Sequence, residues 1–194
     1  GEWDTYLPIR VNNGDYAQNM EWNGVSDLSA EVYTMIDDEF MYLGAIVTDD
    51  VLYDKDTPQR VWNNDSIQFA VAIERRAGSR NSEFGIGFSN GEVTLQRYTS
   101  QAINNGVVEV TFDEQTEYAV KRYENEKKTV YELKMKLSDI YDVVPDVKIL
   151  KSIVFGLCIN DHDGDARGWM EYTGGGIARP KDTSLYMDLP VYGN

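Results

Sequence analysis

Two segments of the sequence combine flat aromatic rings with many oxygen-bearing side chains. In residues 62–66, Trp62 is followed by two asparagines, an aspartate and a serine, and residues 160–169 end on Trp169. Sugar rings present C–H groups on their faces and hydroxyls at their edges, so a sugar site needs an aromatic platform with a few polar groups at its rim. Carboxylate and amide oxygens also suit hard cations. The two segments therefore predict recognition of sugars and cations rather than bond-breaking chemistry.

The second segment resembles a calcium loop. Asp161, Asp163 and Asp165 occupy alternate positions, and Gly164 permits a tight turn between them. The full twelve-residue loop of the helix-loop-helix calcium motif and its terminal glutamate are missing, so the match is partial. A solvated acidic loop, or an ion pair with Arg167, is the alternative interpretation.

A weaker acidic cluster comprises Asp49, Asp50 and Asp54. Oxygen ligands so close together would repel one another without a cation, and calcium accepts six to eight of them. We therefore expect a structural calcium ion at one of the two clusters.

Catalytic groups are scarce in this sequence. His162 is the single histidine and Cys158 the single cysteine, so a multi-histidine metal site or a disulfide cannot form within the chain. The run 174–176 lacks the lysine and hydroxyl of a phosphate loop. The 33 acidic residues supply many accidental carboxylate pairs for glycoside hydrolysis, but nothing singles out one pair. The sequence therefore favours a protein without enzymatic activity.

Charge and composition limit the partners. The formal net charge is −15 over 194 residues, which repels phosphate backbones and anionic lipid surfaces. No apolar run of about 18 residues and no signal peptide is present, so we expect either a cytosolic protein or one whose signal was removed. The start at Gly1 suggests a piece excised from a longer secreted protein.

Short alternating runs of apolar and polar residues, separated by turn residues, predict an all-β chain. Asn90-Gly91 and residues 125–128 predict hairpin turns, and Ser138 is placed to cap a single helical turn. One domain over residues 1–194, built as an antiparallel β-sandwich of two stacked sheets with about 10–12 strands, is the expected fold. The predicted strands are 7–11, 30–36, 40–48, 66–73, 83–88, 92–97, 107–112, 117–123, 130–137, 153–160, 168–172 and 185–191.

The order of short motifs resembles family 9 carbohydrate-binding modules over about residues 20–190. The motifs are SDLSA at 26–30, DDEFMY at 37–42, VTDD at 47–50, WNNDSIQ at 62–68, IND at 159–161, RGW at 167–169 and KDTSL at 181–185. The resemblance implies an extracellular or cell-surface β-sandwich without catalytic activity, attached to polysaccharide-degrading or cell-surface proteins of bacteria. It also implies an oligosaccharide or polysaccharide ligand and, in many members, structural calcium.

The same resemblance implies a clamp of two aromatic rings around the sugar. Trp62 stands at the first clamp position, and counting back from residues 181–184 gives Tyr172 as the second, with Trp169 as its rival. Gln68 stands where the family has a sugar-binding carboxylate. Gly85 lies near the position of a basic sugar contact that some members carry, so this chain lacks that contact. We expect the rings at 62 and 172 to converge over a groove at one edge of the sandwich.

Three further side chains are candidates for hydrogen bonds at the rim of the groove: Asn64, Gln68 and Arg97. For Asn64 and Arg97 the alternative is a solvated strand face. Two rival functions also remain open at this point. One is a structural sandwich that has lost its sugar site, and the other is a haem-binding sandwich that uses His162 with a methionine such as Met170.

Overall fold

The computed structural model describes residues 7–101, 111–163 and 166–191. Within them, twelve strands form two antiparallel sheets, which confirms the predicted β-sandwich. The strands are β1 (Ile9–Val11), β2 (Ala17–Gln18), β3 (Leu28–Ile36), β4 (Phe40–Asp49), β5 (Ser66–Ala72), β6 (Asn81–Ser89), β7 (Glu92–Thr99), β8 (Glu117–Tyr123), β9 (Lys128–Lys136), β10 (Ser152–Asp161), β11 (Gly168–Glu171) and β12 (Met187–Pro190). One helical turn, α1 (Leu137–Ile140), joins β9 to the segment before β10.

The smaller sheet has the order β1-β3-β4-β9-β8, and the larger has the order β2-β11-β10-β5-β6-β7. Strand β12 pairs with the first half of β10, on the edge where β11 pairs with the second half. Every pairing is antiparallel, as short hairpin connections favour. The result is a broad central region of β10, β5 and β6 in the larger sheet.

The main core lies between the two sheets. Alternate residues of β10 point into it, among them Phe155, Leu157 and Ile159, where they meet Phe69 and Phe84. Period-two alternation explains this division, since successive side chains of a strand point to opposite faces.

The outer face of the larger sheet carries a second, smaller cluster. Residues 177–186 cross this face, and Ile177 and Tyr186 pack on Ala70 and Cys158. The continuous apolar run of β10 is therefore covered on both faces. The similar run of β4 is not, because Ile46 on its outer face is 38% exposed.

The two predicted hairpin turns are present. Asn90 and Gly91 have φ of 51° and 84°, the left-handed pair that a two-residue turn between β6 and β7 requires. Between β8 and β9, Lys127 takes the left-handed conformation after a 3₁₀ turn.

Several element boundaries differ from the prediction. Ser138 lies inside α1 and does not cap it, since Lys136 holds the N-cap position without a side-chain hydrogen bond. The predicted strand 107–112 falls mostly outside the described residues, and 111–112 are not in a strand. Strand β2 was missed because two residues carry no readable alternation. In the described part of the chain, no helix has the length and apolar character needed to cross a membrane.

Candidate functional site

A cleft of about 280 Å³ opens on the outer face of the larger sheet. Its floor comes from β5 and β6, and its sides come from β7, from a 3₁₀ segment (Pro58–Asn63) and from the crossing residues 177–181. The residues that line it are Trp62, Gln68, Glu83, Tyr98, Arg167, Ile177, Ala178, Arg179 and Lys181.

Two glycines of β6 let neighbouring groups pack closely on its outer face beside the cleft. Gly85 pairs with Gln68, and Gly87 pairs with Ser66. The β6–β7 register shifts next to Glu83, which leaves Tyr98 without a partner across the ladder. Such a bulge redirects side chains, and here the Tyr98 phenol lies over Gly85.

We predict that Gly85→Ala destabilises the protein through Tyr98. A methyl group at residue 85 would lie 2.6 Å from the Tyr98 Oη. Overpacking of this kind costs about 1–3 kcal/mol, which lowers Tm by roughly 2–12 °C for a domain of this size. Thermal unfolding of the single and double variants measures it. In a Tyr98→Ala background the loss should be much smaller, and an equal loss in both backgrounds would contradict the packing argument.

A continuous polar chain crosses the floor of the cleft. Lys181 Nζ lies 2.9 Å from both carboxylate oxygens of Glu83, and Glu83 Oε1 accepts from Gln68 Nε2 at 3.0 Å. Gln68 Oε1 accepts from Arg167 Nη2 at 3.0 Å, and Arg167 Nε donates to Asn160 Oδ1 at 2.8 Å. Each group is fixed by its neighbours, so the polar groups under the cleft are held in place before any ligand arrives.

Trp62 forms one side of this cleft. Its 3₁₀ segment is anchored by buried Val61, and the Trp62 backbone N–H donates to the Tyr98 hydroxyl at 3.1 Å. The guanidinium carbons of Arg60 and Arg167 lie 5.5 Å and 5.3 Å from the centroid of the indole. The ring is only partly buried, so its position leaves indole surface for contact with a ligand.

Of the predicted sugar contacts, the structure brings Trp62 and Gln68 together in the cleft. Trp169 lies nearby on the outward face of β11. It is only 8% exposed and packs against Ile177 and Ala178. The Arg167 guanidinium covers its ring at 4.7 Å. Trp169 thus supports the site from below.

The other predicted contacts lie elsewhere. Asn64 is fully buried, and its amide bonds with the backbones of Asp56 and Phe88, which ties a loop to the end of β6. Arg97 points to the core side of β7, where its guanidinium lies over the rings of Phe84 and Phe112. Neither residue has the solvated strand position that was the alternative.

Tyr172 is also away from the cleft. It packs against the main core, with its ring centroid 5.3 Å from that of Tyr16. The reason is strand alternation: Trp169 and Glu171 face outward from β11, whereas Met170 points into the core and Tyr172 follows it on that side. The expected convergence of the rings at 62 and 172 over one groove is therefore not found.

Seven residues of the cleft were not predicted as sugar contacts: Glu83, Tyr98, Arg167, Ile177, Ala178, Arg179 and Lys181. Arg167 was considered only as an ion-pair partner for the acidic loop, yet the described residues give it amide and thiol partners. Lys181 was named only as the first residue of the motif at 181–185. The alternation of Glu83 with Gly85 and Gly87 on β6 is the sequence signal that could have indicated a polar outer face with little side-chain bulk.

Members of the two predicted acidic clusters meet at one end of the sandwich, whereas Asp54 is in neither group and accepts from Lys55 and the Gly91 N–H. Carboxylate oxygens of Asp49, Asp161 and Asp163 lie within 4.8 Å of one another, and those of Asp27, Asp50 and Asp163 form a second such group. Asp49 ends β4 in the smaller sheet and Asp161 ends β10 in the larger one. Asp165 lies outside the described residues, and Asp27 was not predicted as a ligand.

The chemistry of this cluster fits a cation. Asp161 is 3% exposed, and its Oδ1 has no hydrogen-bond partner among the residues that the structure describes. Burial, reinforced by the charges of Asp163 and Asp49, raises the pKa of Asp161 to about 8. Burial likewise raises the pKa of Asp49 to about 6. Crowded buried carboxylates with an unpaired oxygen form a donor set of the kind that calcium binds.

The haem alternative meets a steric obstacle. Met170 is fully buried in the main core, and His162 is 7% exposed with its ring stacked on Tyr53 at 3.9 Å between centroids. These two side chains therefore offer no open pair of axial positions.

Comparison with known proteins agrees with the fold. Two similar solved structures are carbohydrate-binding modules of family 9 from Caldicellulosiruptor kristjanssonii, one in complex with glucose and one with cellotriose. The first is 15% identical in sequence and has a TM-score of 0.68. The matched region covers 100% of this chain and 87% of the chain in that structure. The second is 14% identical, covers 97% and 82%, and has a TM-score of 0.63. No curated protein matched the sequence.

The family model described as carbohydrate family 9 binding domain-like matches residues 2–194. The match spans the strands of both sheets and confirms the resemblance drawn from the short motifs. The chain belongs to this family of non-catalytic carbohydrate-binding modules.

Proposed function

We propose that the cleft beside Trp62 holds a ring of an oligosaccharide or polysaccharide chain. The observation that carries the proposal is the pairing of a partly exposed indole with a fixed polar floor in one cleft of about 280 Å³. Two relatives of the same fold were solved with glucose and cellotriose, which supports a saccharide ligand. The chain itself performs no chemistry on that ligand.

The polar floor supplies the rim contacts that a sugar needs. The Glu83 carboxylate accepts hydrogen bonds from hydroxyls, while the Lys181 side chain donates to them. Glu83 is 2% exposed and is already oriented by Gln68 and Lys181, so little ordering cost remains for binding.

One indole, rather than a pair of facing rings, implies modest affinity. Residues 177–181 also line the cleft, and the apolar side chains that they contribute to its lining are those of Ile177 and Ala178. We therefore expect dissociation constants in the micromolar to millimolar range for single chains, about −8 to −4 kcal/mol.

Affinity electrophoresis tests the proposal. The protein is run in native gels that contain plant, algal or host polysaccharides, with a non-binding protein of similar size as the standard. Retardation by at least one polysaccharide, reversed by free oligosaccharide, is the expected result. Unchanged mobility with every polysaccharide and no heat of binding to oligosaccharides would exclude a sugar site.

A module without catalytic residues acts by tethering, so we propose that it serves an attached polysaccharide-active or anchoring domain of a secreted or cell-surface protein. Linkage raises the local concentration of the attached domain at its substrate without a new contact. Family membership supports this proposal.

We also propose a structural calcium ion at the acidic cluster, held by Asp49, Asp161 and Asp163, with Asp27 and Asp50 beside it. The unpaired buried oxygen of Asp161 supports it. When bound, the ion supplies the positive charge that offsets these carboxylates, and its ligands come from both sheets.

A further inference from the structure

The cleft has the opposite charge to the rest of the chain. The protein carries 33 acidic and 18 basic residues. Among the residues that line the cleft, however, three are basic, namely Arg167, Arg179 and Lys181, and only Glu83 is acidic. A concave site of one sign concentrates ligands of the other sign, even on a molecule whose net charge repels them.

Among the residues that the structure describes, no carboxylate forms an ion pair with Arg167, and buried Glu171 acts on its charge only without a hydrogen bond. The hydrogen-bond acceptors of its guanidinium are the amide oxygens of Gln68 and Asn160, and the thiol of Cys158 lies 3.9 Å away. Burial raises the pKa of Cys158, so this thiol stays neutral. The indoles of Trp62 and Trp169 account for its other close contacts. A desolvated cation whose hydrogen-bond partners are neutral is costly, and an anion that reaches it offsets that cost.

Gln68 is a neutral hydrogen-bond partner of Arg167, so it does not neutralise the charge of the guanidinium. It stands between Arg167 and Glu83 and gives its carbonyl oxygen to the first and its N–H to the second. A carboxylate in its place would neutralise Arg167 within the protein. Because residue 68 is an amide, it supplies a hydrogen bond to Arg167 but no negative charge.

The other two cations differ in how far they are paired. Lys181 is bound to both oxygens of Glu83, so that pair is neutral as a whole. Arg179 is exposed and has no ion pair or side-chain hydrogen bond in the described part of the chain. In the described part of the chain, the cleft therefore presents two guanidinium groups without a directly bonded carboxylate, Arg167 within it and Arg179 at its rim.

We propose that this cleft selects an acidic saccharide of the hexuronate class, whose carboxylate is bound by Arg167 and Arg179. The proposal rests on the proposed sugar-binding function and names its substrate class. Guanidinium groups bind carboxylates with charge-assisted hydrogen bonds, often in bidentate geometry, which neutral hydroxyls cannot match. Trp62 stacks on the sugar ring, and the two arginines read its acidic group.

Calorimetry with matched sugars tests the proposal on the wild-type chain. The probes are glucuronate and galacturonate oligosaccharides against neutral oligosaccharides of the same length, such as cellotriose. We expect the acidic sugar to bind about 10-fold more tightly at low ionic strength, as one charge-assisted hydrogen bond provides. The advantage should fall several-fold between about 0.02 and 0.5 M salt, because one contact is exposed to screening.

Substitution of Arg179 checks the location. Arg179→Gln should weaken uronate binding by roughly 2–5-fold and leave neutral sugars unchanged, as expected for an exposed pair. The matched control is Arg10→Gln, which removes the same charge from β1 of the other sheet, where Arg10 pairs with Glu31. The control should bind uronate as the wild type does.

Each outcome separates this inference from the proposed function. Equal affinity for neutral and acidic sugars, independent of salt, would overturn the hexuronate assignment and leave sugar binding intact. Tighter binding of sulfated sugars than of uronates would also overturn it. Failure to bind any saccharide would remove both the assignment and the function on which it rests.

Discussion

Trp62→Ala is expected to cost about 2 kcal/mol or more of binding free energy, roughly a 30-fold loss of affinity. The indole is the largest flat surface in the cleft, and a methyl group offers no platform for a sugar ring. Stability should change little, because the backbone N–H of residue 62 keeps its bond to Tyr98 and Val61 still anchors the segment. Calorimetry and thermal unfolding of the same sample measure both effects.

Trp169→Phe is the matched aromatic control. Trp169 lies beneath Arg167 and is almost fully buried, so its replacement should reduce Tm while affecting glycan affinity far less than loss of Trp62 does. Wild-type affinity in a folded Trp62→Ala variant would contradict the assignment of the cleft.

Removal of calcium is expected to lower thermal stability by roughly 8–16 °C. A ligand that binds only the folded state at a thousand times its Kd adds about 4 kcal/mol, and each kcal/mol shifts Tm by about 2–4 °C at this chain length. The effect should be large here because the metal-free state keeps buried carboxylates side by side. Thermal unfolding with excess calcium and with a chelator measures the shift.

Asp161→Asn should abolish that calcium response. In chelator the variant should be as stable as the wild type or more so, because the amide replaces a carboxyl whose pKa of about 8 makes it take up a proton on folding near neutral pH. Asp142→Asn is the control, since Asp142 is exposed and lies outside the cluster. Identical melting curves of the wild type with and without calcium would remove the ion from the account.

The fold could be predicted from sequence because its signals are local. Alternation in β6, β7 and β9 and the Asn90-Gly91 turn each specify a strand or a hairpin within a few residues. Each alternating strand has one apolar face that must be buried. Two sheets that stack on these faces form a β-sandwich. The predicted strand boundaries were wrong where contacts with distant residues decide them. The two-residue β2 is an example.

The candidate site was predictable only in part, because its geometry depends on which face each strand turns outward. Trp169 and Tyr172 are three residues apart, and an odd spacing in a strand puts side chains on opposite faces. This rule separates the two residues without a structure. The bulge that brings Tyr98 over Gly85 has no such local signal, since it arises from the pairing of β6 with β7.

The acidic cluster shows the same limit. The sequence marked residues 49–50 and 161–165 as separate candidates, but their meeting depends on the packing of β4 and β10 from different sheets. Asp27 joins them from the turn before β3, and nothing near it in the sequence indicated a cation.

The most direct test of the account is an NMR titration of the indole N–H resonances with the oligosaccharide that binds best. The resonance of Trp62, assigned through its loss in Trp62→Phe, should shift in proportion to occupancy, while that of Trp22, whose Nε1 donates to the Leu28 carbonyl at 2.8 Å, should stay fixed. Saturable sugar binding with an unmoved Trp62 signal would contradict the claim that this cleft is the sugar site.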